Sequence, residues 1–300
     1  MPTHALPSSY AANYEARWPE VNTSTSPTHC APISTPAFVS VCRTGSRWVR
    51  NTGAMRADQY LEHLSADGEA LLVAAQRAPG VSVPSCPAWD MSGLLAYTSA
   101  VHHWVAEIIR TRSQRRPTRQ FGDEAPIEWV LLTAWYEQGL STLVDLLGSL
   151  DVDLRVWNWY DDGPAPAAFW QRRMALETTV HRWDAQDAAG APEPIGAALA
   201  ADGIDEYLGF VSGEIGQRPV PGFSGSLALI ATDIDCAWTL TLAPDRLQCR
   251  PGREDTDAVV QGPASALFLW TLNRSASGLS DLEVSGDPAV ARAWSAISFD

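Results

Sequence analysis

"PAAFWQRRMALETTVHRWDAQDAAG", residues 166–190, decides the fold class. Trp170, Met174, Glu177, His181 and Asp184 recur at intervals of three and four, the spacing of one face of an α-helix. Gly190 ends the run and Pro192 and Pro194 follow it, so the pattern predicts a helix over about 166–189. Two polar residues, Glu177 and His181, stand in line with the apolar ones. One turn apart on one face, they can offer a carboxylate oxygen and an imidazole nitrogen to a single point. A carboxylate on a buried stripe needs a partner to offset its lost hydration.

Helical spacing also rules the residues before this stretch. Leu61, Leu64, Leu71, Leu72 and Ala75 form one stripe in "RADQYLEHLSADGEALLVAAQRA". Asp90 is placed to cap the next helix, "MSGLLAYTSAVHHWVAEIIRTR", where Leu94, Tyr97, Val101, Trp104 and Ile108 share a face. Pro126 is expected in the first turn of a third helix, "PIEWVLLTAWYEQGLSTLVDLLGSL". "DVDLRVWNWYDDGPAP" reads as a long connection, and a shorter helix is expected over about 196–216.

Beyond residue 218 the period changes. Trp238, Leu240 and Leu242 alternate with Ala237, Thr239 and Thr241, the pattern of a half-buried strand. "SLALIATD", "RLQCR", "DAVVQG" and "DLEVSGD" are further short strands, with helices in "PASALFLWTLN" and "PAVARAWSAI". The expected fold class is α with a smaller α+β domain: a helical bundle over 55–217 and the α+β domain over 218–300. Residues 1–54, rich in Ser, Thr, Pro and Ala without a period, read as a disordered tail or as a mis-assigned start ahead of Met55.

The net charge of −14 argues against nucleic acid and against an anionic membrane surface as partners. All 21 basic residues are Arg, the mark of GC-rich coding. The five cysteines are scattered without metal or disulfide spacing, and no apolar run reaches membrane-spanning length. A cytoplasmic protein with reduced thiols is expected. Cys86, ahead of the second helix, and the arginines 110, 112, 115, 116 and 119 could serve a reactive thiol or an anionic ligand. Packing and a solvated loop are their plainer roles. Arg172 or Arg173 could hold a substrate carboxylate, and Trp157, Trp159, Trp170 and Trp183 could wall a pocket or fill the core. Asp184 would orient His181 only if the helix bends, or the two simply touch as neighbours three apart.

Glu177 and His181, with a third donor from a neighbouring helix, would make an open site for zinc or a similar divalent ion. "VPSCPAWDMSGLLAYTSAVHHWVAEIIR", "FWQRRMALETTVHRWDAQDAAG" and "PIGAALAADGIDEYL", with "ATDIDCAWTLTLAPDRLQC" further on, resemble the mycothiol-dependent maleylpyruvate isomerase family. The resemblance covers about 56–300. It implies a DinB-like up-down four-helix bundle followed by a sterol-carrier-like α+β domain. It implies a metal held by a second-helix His together with Glu177 and His181, with mycothiol as the thiol cofactor. The activity implied is isomerisation or S-transfer on a small electrophilic substrate.

The chain departs from that pattern at one ligand. Where the family pattern reads like "LLAHLGGVHRW", this chain has "LLAYTSAVHHW", which puts Tyr97 in the seat of the ligand. A phenol is a poor zinc ligand because its pKa is about 10. His102 and His103 lie five and six residues on, rotated about 140° and 240° from Tyr97 around the helix. Three arrangements follow: metal bound by Glu177, His181 and water; His102 moved in as the third ligand; or a site without metal in which Tyr97 hydrogen-bonds Glu177. The last would suit a small-molecule-binding protein rather than an enzyme.

Overall fold

The computed structural model describes residues 55–117, 125–151, 153–159, 163–214, 224–243, 246–274 and 281–294. The reading of 1–54, Arg119 and the boundary at 217/218 lie outside these residues.

Four long helices come first: α1 (Ala57–Arg77), α2 (Met91–Arg110), α3 (Trp129–Gly148) and α4 (Ala168–Ala188). α1 packs along α4 and α2 along α3, and a core including Leu64, Leu71, Leu94, Ile108, Leu143 and Trp170 is sealed between them. Asp90 caps α2 as expected, its Oδ1 accepting from the Gly93 amide at 2.8 Å. Pro126 is not in the first turn of α3, which begins at Trp129 after the extended Glu128. Ile127 is 73% exposed and has no face to pack on, whereas Leu132 is buried. A turn without tertiary packing is not held, so the helix starts where packing does.

The connection between α3 and α4 is more ordered than its sequence suggests. β1 (Arg155–Asn158) and β2 (Gly163–Pro166) form an antiparallel hairpin with Val156 opposite Ala165. Burial of Val156 and Trp157 holds it to the bundle, and the Trp157 amide donates to the Ser113 carbonyl at 2.7 Å. Pro164 and Pro166 are tolerated in a two-stranded piece whose outer edge needs no donor.

α5 (Ala197–Glu214) leads into a five-stranded sheet of order β5-β4-β3-β6-β7. Its strands are β3 (Gly225–Ala231), β4 (Ala237–Ala243), β5 (Arg246–Pro251), β6 (Ala258–Gly262) and β7 (Glu283–Gly286). β3 and β6 run parallel and the other pairings are antiparallel. Trp238, Leu240 and Leu242 of β4 are buried, as their alternation requires. α6 (Ala264–Thr271) covers the sheet, and α7 (Pro288–Ala293) follows β7. The helical part followed by a smaller α+β part is the expected fold class. No helix among the described residues is long and apolar enough to cross a membrane.

The two parts are closely joined. α5 lies against α6, and Gly203 leaves room for the Phe268 ring: a Cβ there would sit 2.7 Å from Cε1. The Ile195 amide donates to the Ser265 hydroxyl at 2.8 Å, and the Trp238 indole donates to Asp205 on α5. Arg274, just past α6, reaches back to Asp184 on α4.

Candidate active site

Glu177 and His181 share a face of α4 and turn inward, toward α2. The Tyr97 hydroxyl, from α2, donates to Glu177 Oε1 at 3.2 Å, and His181 Nε2 lies 3.2 Å from the same oxygen. The His181 side chain is 1% exposed and Tyr97 is 7% exposed. The Tyr97 ring lies against Trp89, centroids 4.6 Å apart, and meets His181 edge-on at 5.3 Å. The apolar stripe of α2 therefore carries its phenol into the polar stripe of α4.

Carboxylates and guanidinium groups surround this centre. His181 Nδ1 is 3.0 Å from Asp184 Oδ2. No bend in α4 is needed for this, contrary to one expectation, because residues three apart already meet on the helix surface. Asp184 is fully buried, and Arg274 clasps it, Nε 3.0 Å from Oδ1 and Nη2 donating to Oδ2 at 3.1 Å. On the other side, Arg173 donates to Glu177 Oε2 at 2.7 Å and also pairs with Glu206 of α5. Burial pushes the Glu206 carboxyl above the usual range, an effect that Arg173 and Arg172 reduce. Burial disfavours the Arg173 cation, but Glu206 and Glu177 outweigh it and leave its pKa raised.

Several sequence candidates prove to be structural. Arg172 is bound to Asp202, Nε to Oδ2 at 2.9 Å, and Tyr60 donates to the same oxygen at 2.8 Å. Arg172 and Arg173 are thus committed to protein carboxylates. His102 does not join the cluster; it is fully buried, with Nε2 2.9 Å from the Thr178 hydroxyl. Burial lowers its pKa to about 3, so it stays neutral. His103 stacks on Trp135 and contacts that residue's carbonyl at 3.1 Å. Trp157, Trp170 and Trp183 are buried in the core, and Trp104 meets two of them edge-on. Burial raises the Cys249 thiol above its ordinary pKa and the Cys236 thiol to about 11, so neither is poised as a thiolate.

Sequence spacing did not single out Arg274, Glu206 or Trp89 as neighbours of the centre. Arg274 and Glu206 come from outside the four bundle helices, and Trp89 belongs to the loop before α2. Periodicity within one helix carries no signal for such contacts.

The donor set does not fit a zinc-class divalent ion. Two of the three groups at the convergence point are a carboxylate and an imidazole; the third is a phenol engaged as a donor to that carboxylate. The second carboxylate oxygen carries the Arg173 guanidinium. A cation here would have to dislodge a partly buried ion pair or share its ligand with a positive group. Among the described residues, no group of three His, Cys, Asp or Glu side chains could hold a metal ion.

Comparison with known proteins supports the architecture. No curated protein matches the chain. Among solved structures it is similar to the mycothiol-dependent maleylpyruvate isomerase, with 13% identity, a TM-score of 0.50, and 78% of this chain and 95% of that one covered. It is also similar to a histidine-to-alanine mutant of that isomerase, with 14% identity, a TM-score of 0.52 and the same coverage. At these identities the likeness speaks for the fold. The mycothiol maleylpyruvate isomerase N-terminal domain matches over residues 61–186, and the C-terminal domain of the same family over 198–293. With both domains matched in order across the bundle and the sheet, the chain belongs to the mycothiol maleylpyruvate isomerase family.

Proposed function

We propose that the chain is a mycothiol-dependent enzyme, an isomerase or S-transferase acting on a small electrophile such as maleylpyruvate. The observation that supports this is the convergence of Tyr97 with Glu177 and His181 at a cluster that stays open along one edge. The side chains of Glu177 and Arg173 are each 13% exposed, whereas those of His181 and Asp184 are closed off. A thiol entering from solvent therefore meets a carboxylate and a guanidinium first.

When bound, mycothiol supplies the nucleophilic sulfur. The chain's own residues would supply the proton handling and the charge. Asp184 orients the imidazole through Nδ1, which leaves His181 Nε2 facing Glu177 and able to take or return a proton. The Tyr97 hydroxyl, donating to Glu177 Oε1, would hold that carboxylate beside it, and Arg173 would supply a fixed positive charge at the open edge. Buried Trp89 and Tyr97 exclude water on the inner side. We place this activity in the cytoplasm, with small molecules rather than nucleic acid or membrane as partners.

A second reading is favoured by Tyr97: a binding protein that holds a thiol or another small ligand without turnover. Purified full-length chain would be given maleylpyruvate with and without mycothiol while the trans isomer and the S-adduct are followed. Turnover that needs mycothiol and disappears in Glu177→Gln is the expected result. Saturable mycothiol binding with neither product formed would establish the second reading instead.

A further inference from the structure

We infer that this site works without a divalent metal, because Tyr97 and Arg173 already occupy both oxygens of the Glu177 carboxylate. The inference rests on the thiol-dependent reading for the chemistry that the site performs, but its own claim concerns the ligand set.

Three donors at this point would define a metal seat only if each could turn a lone pair to one centre. Glu177 and His181 could do so. Asp184 on His181 Nδ1 would suit a metal-bound imidazole as well as a metal-free one, so the decision falls on the third donor. That donor is Tyr97, whose hydroxyl donates its proton to Glu177 Oε1. Binding a cation as phenolate would bring a second buried negative oxygen against that carboxylate, in a wall made by Trp89 and His181. A neutral phenol in the same place is a weak ligand. His102 does not stand in its place: its Nε2 faces the Thr178 hydroxyl at 2.9 Å rather than Glu177.

The second carboxylate oxygen leads to the same result. Arg173 bridges Glu177 and Glu206, so a positive charge is already built in where a cation would bring one. Unlike a loosely bound ion, this charge is covalently part of α4 and locked by α5. The positive group that an incoming anionic sulfur or carboxylate meets at the open edge is then the Arg173 guanidinium in place of a metal ion.

The test is zinc stoichiometry. Full-length chain, stripped of metal and then incubated with zinc and desalted, would be measured by elemental analysis and by calorimetric titration with zinc. Wild type is expected to hold no more zinc than Glu177→Gln, whereas Tyr97→His/Arg173→Gln, which frees both carboxylate oxygens and supplies the third donor, takes up one zinc per chain and loses it again when Glu177→Gln is added. Wild type holding one zinc per chain through Glu177 overturns the inference. So does a folded Tyr97→His/Arg173→Gln variant, verified by near-ultraviolet circular dichroism, that binds none, because Tyr97 and Arg173 would then not be what closes the seat. Turnover is read separately. Zinc-free wild type that lacks mycothiol-dependent turnover counts against the proposed function and leaves the stoichiometry result standing. Turnover that appears only with bound zinc keeps the function and removes the inference.

Discussion

Arg274 of the α+β part grips Asp184 of the bundle through two close contacts, at 3.0 and 3.1 Å, with both side chains buried. Asp184 in turn holds His181. The second domain therefore reaches the centre of the first through two side chains: Arg274 holds Asp184 from the other domain, and Asp184 holds the imidazole on its own helix.

Arg274→Ala leaves a buried carboxylate without its guanidinium. Breaking one side of such a pair costs about 3–5 kcal/mol. Urea unfolding should show a loss of that order. Asp184→Asn in the Arg274→Ala background should recover part of it, because no lone charge then remains. If Arg274→Ala unfolds at the wild-type midpoint, the pair does not hold the domains.

The Gly203–Phe268 contact is the apolar counterpart of that ion pair. Gly203→Ala adds a methyl group where the Phe268 ring already sits. Overpacking of this kind costs about 1–3 kcal/mol, and the helix propensity gained, about 1 kcal/mol, offsets only part. Combining Gly203→Ala with Phe268→Leu should cost less than the two single changes summed, as expected of residues sharing one space. Strict additivity in thermal or urea unfolding would show that the ring and the glycine do not meet.

The bundle was legible because its signals are local. The three-and-four spacing of Trp170, Met174, Glu177 and His181, and the Asp90 cap, belong to single helices and survive into the fold. The strand alternation around Trp238 did so too. The hairpin over 155–166 was missed because its two strands are held by burial of Val156 and Trp157 against distant residues. The start of α3 was misplaced for the same reason: a proline marks where a helix can begin, while packing of Leu132 decides where it does. At the site, the meeting of Tyr97 with Glu177 was one arrangement that spacing allowed. Arg274 and Glu206 were invisible because no spacing relates them to α4.

His102 gives a pH signature. Its folded pKa of about 3 lies below the ordinary 6.5, chiefly through burial, with His103 and His181 opposing the charged form and Glu177 favouring it. The unfolded chain therefore takes up a proton below pH 6.5 that the folded chain refuses until about pH 3. Stability from this group is complete above pH 6.5 and falls by up to about 1.4 kcal/mol per unit through that window. His102→Gln, which can still bond Thr178, should remove roughly 2 kcal/mol of the stability difference between pH 7 and pH 5. Equal pH dependence in the two proteins would mean that His102 is not held neutral by burial.

Tyr97→Phe and Glu177→Gln separate the two functions of the cluster. The first removes only the hydroxyl on Glu177 Oε1 and keeps the ring against Trp89, so the fold should lose about 1 kcal/mol or less. The second removes the charge that Arg173 grips, and should cost more because the guanidinium then depends on Glu206. If the hydroxyl stabilises charge that develops during reaction, Tyr97→Phe should lower kcat by about tenfold to a hundredfold while KM for the electrophile stays near wild type. A change confined to KM would assign Tyr97 to ligand binding. Wild-type kinetics in both variants would move the reaction away from this cluster altogether, since Tyr97 and Glu177 are two of the three groups that meet there.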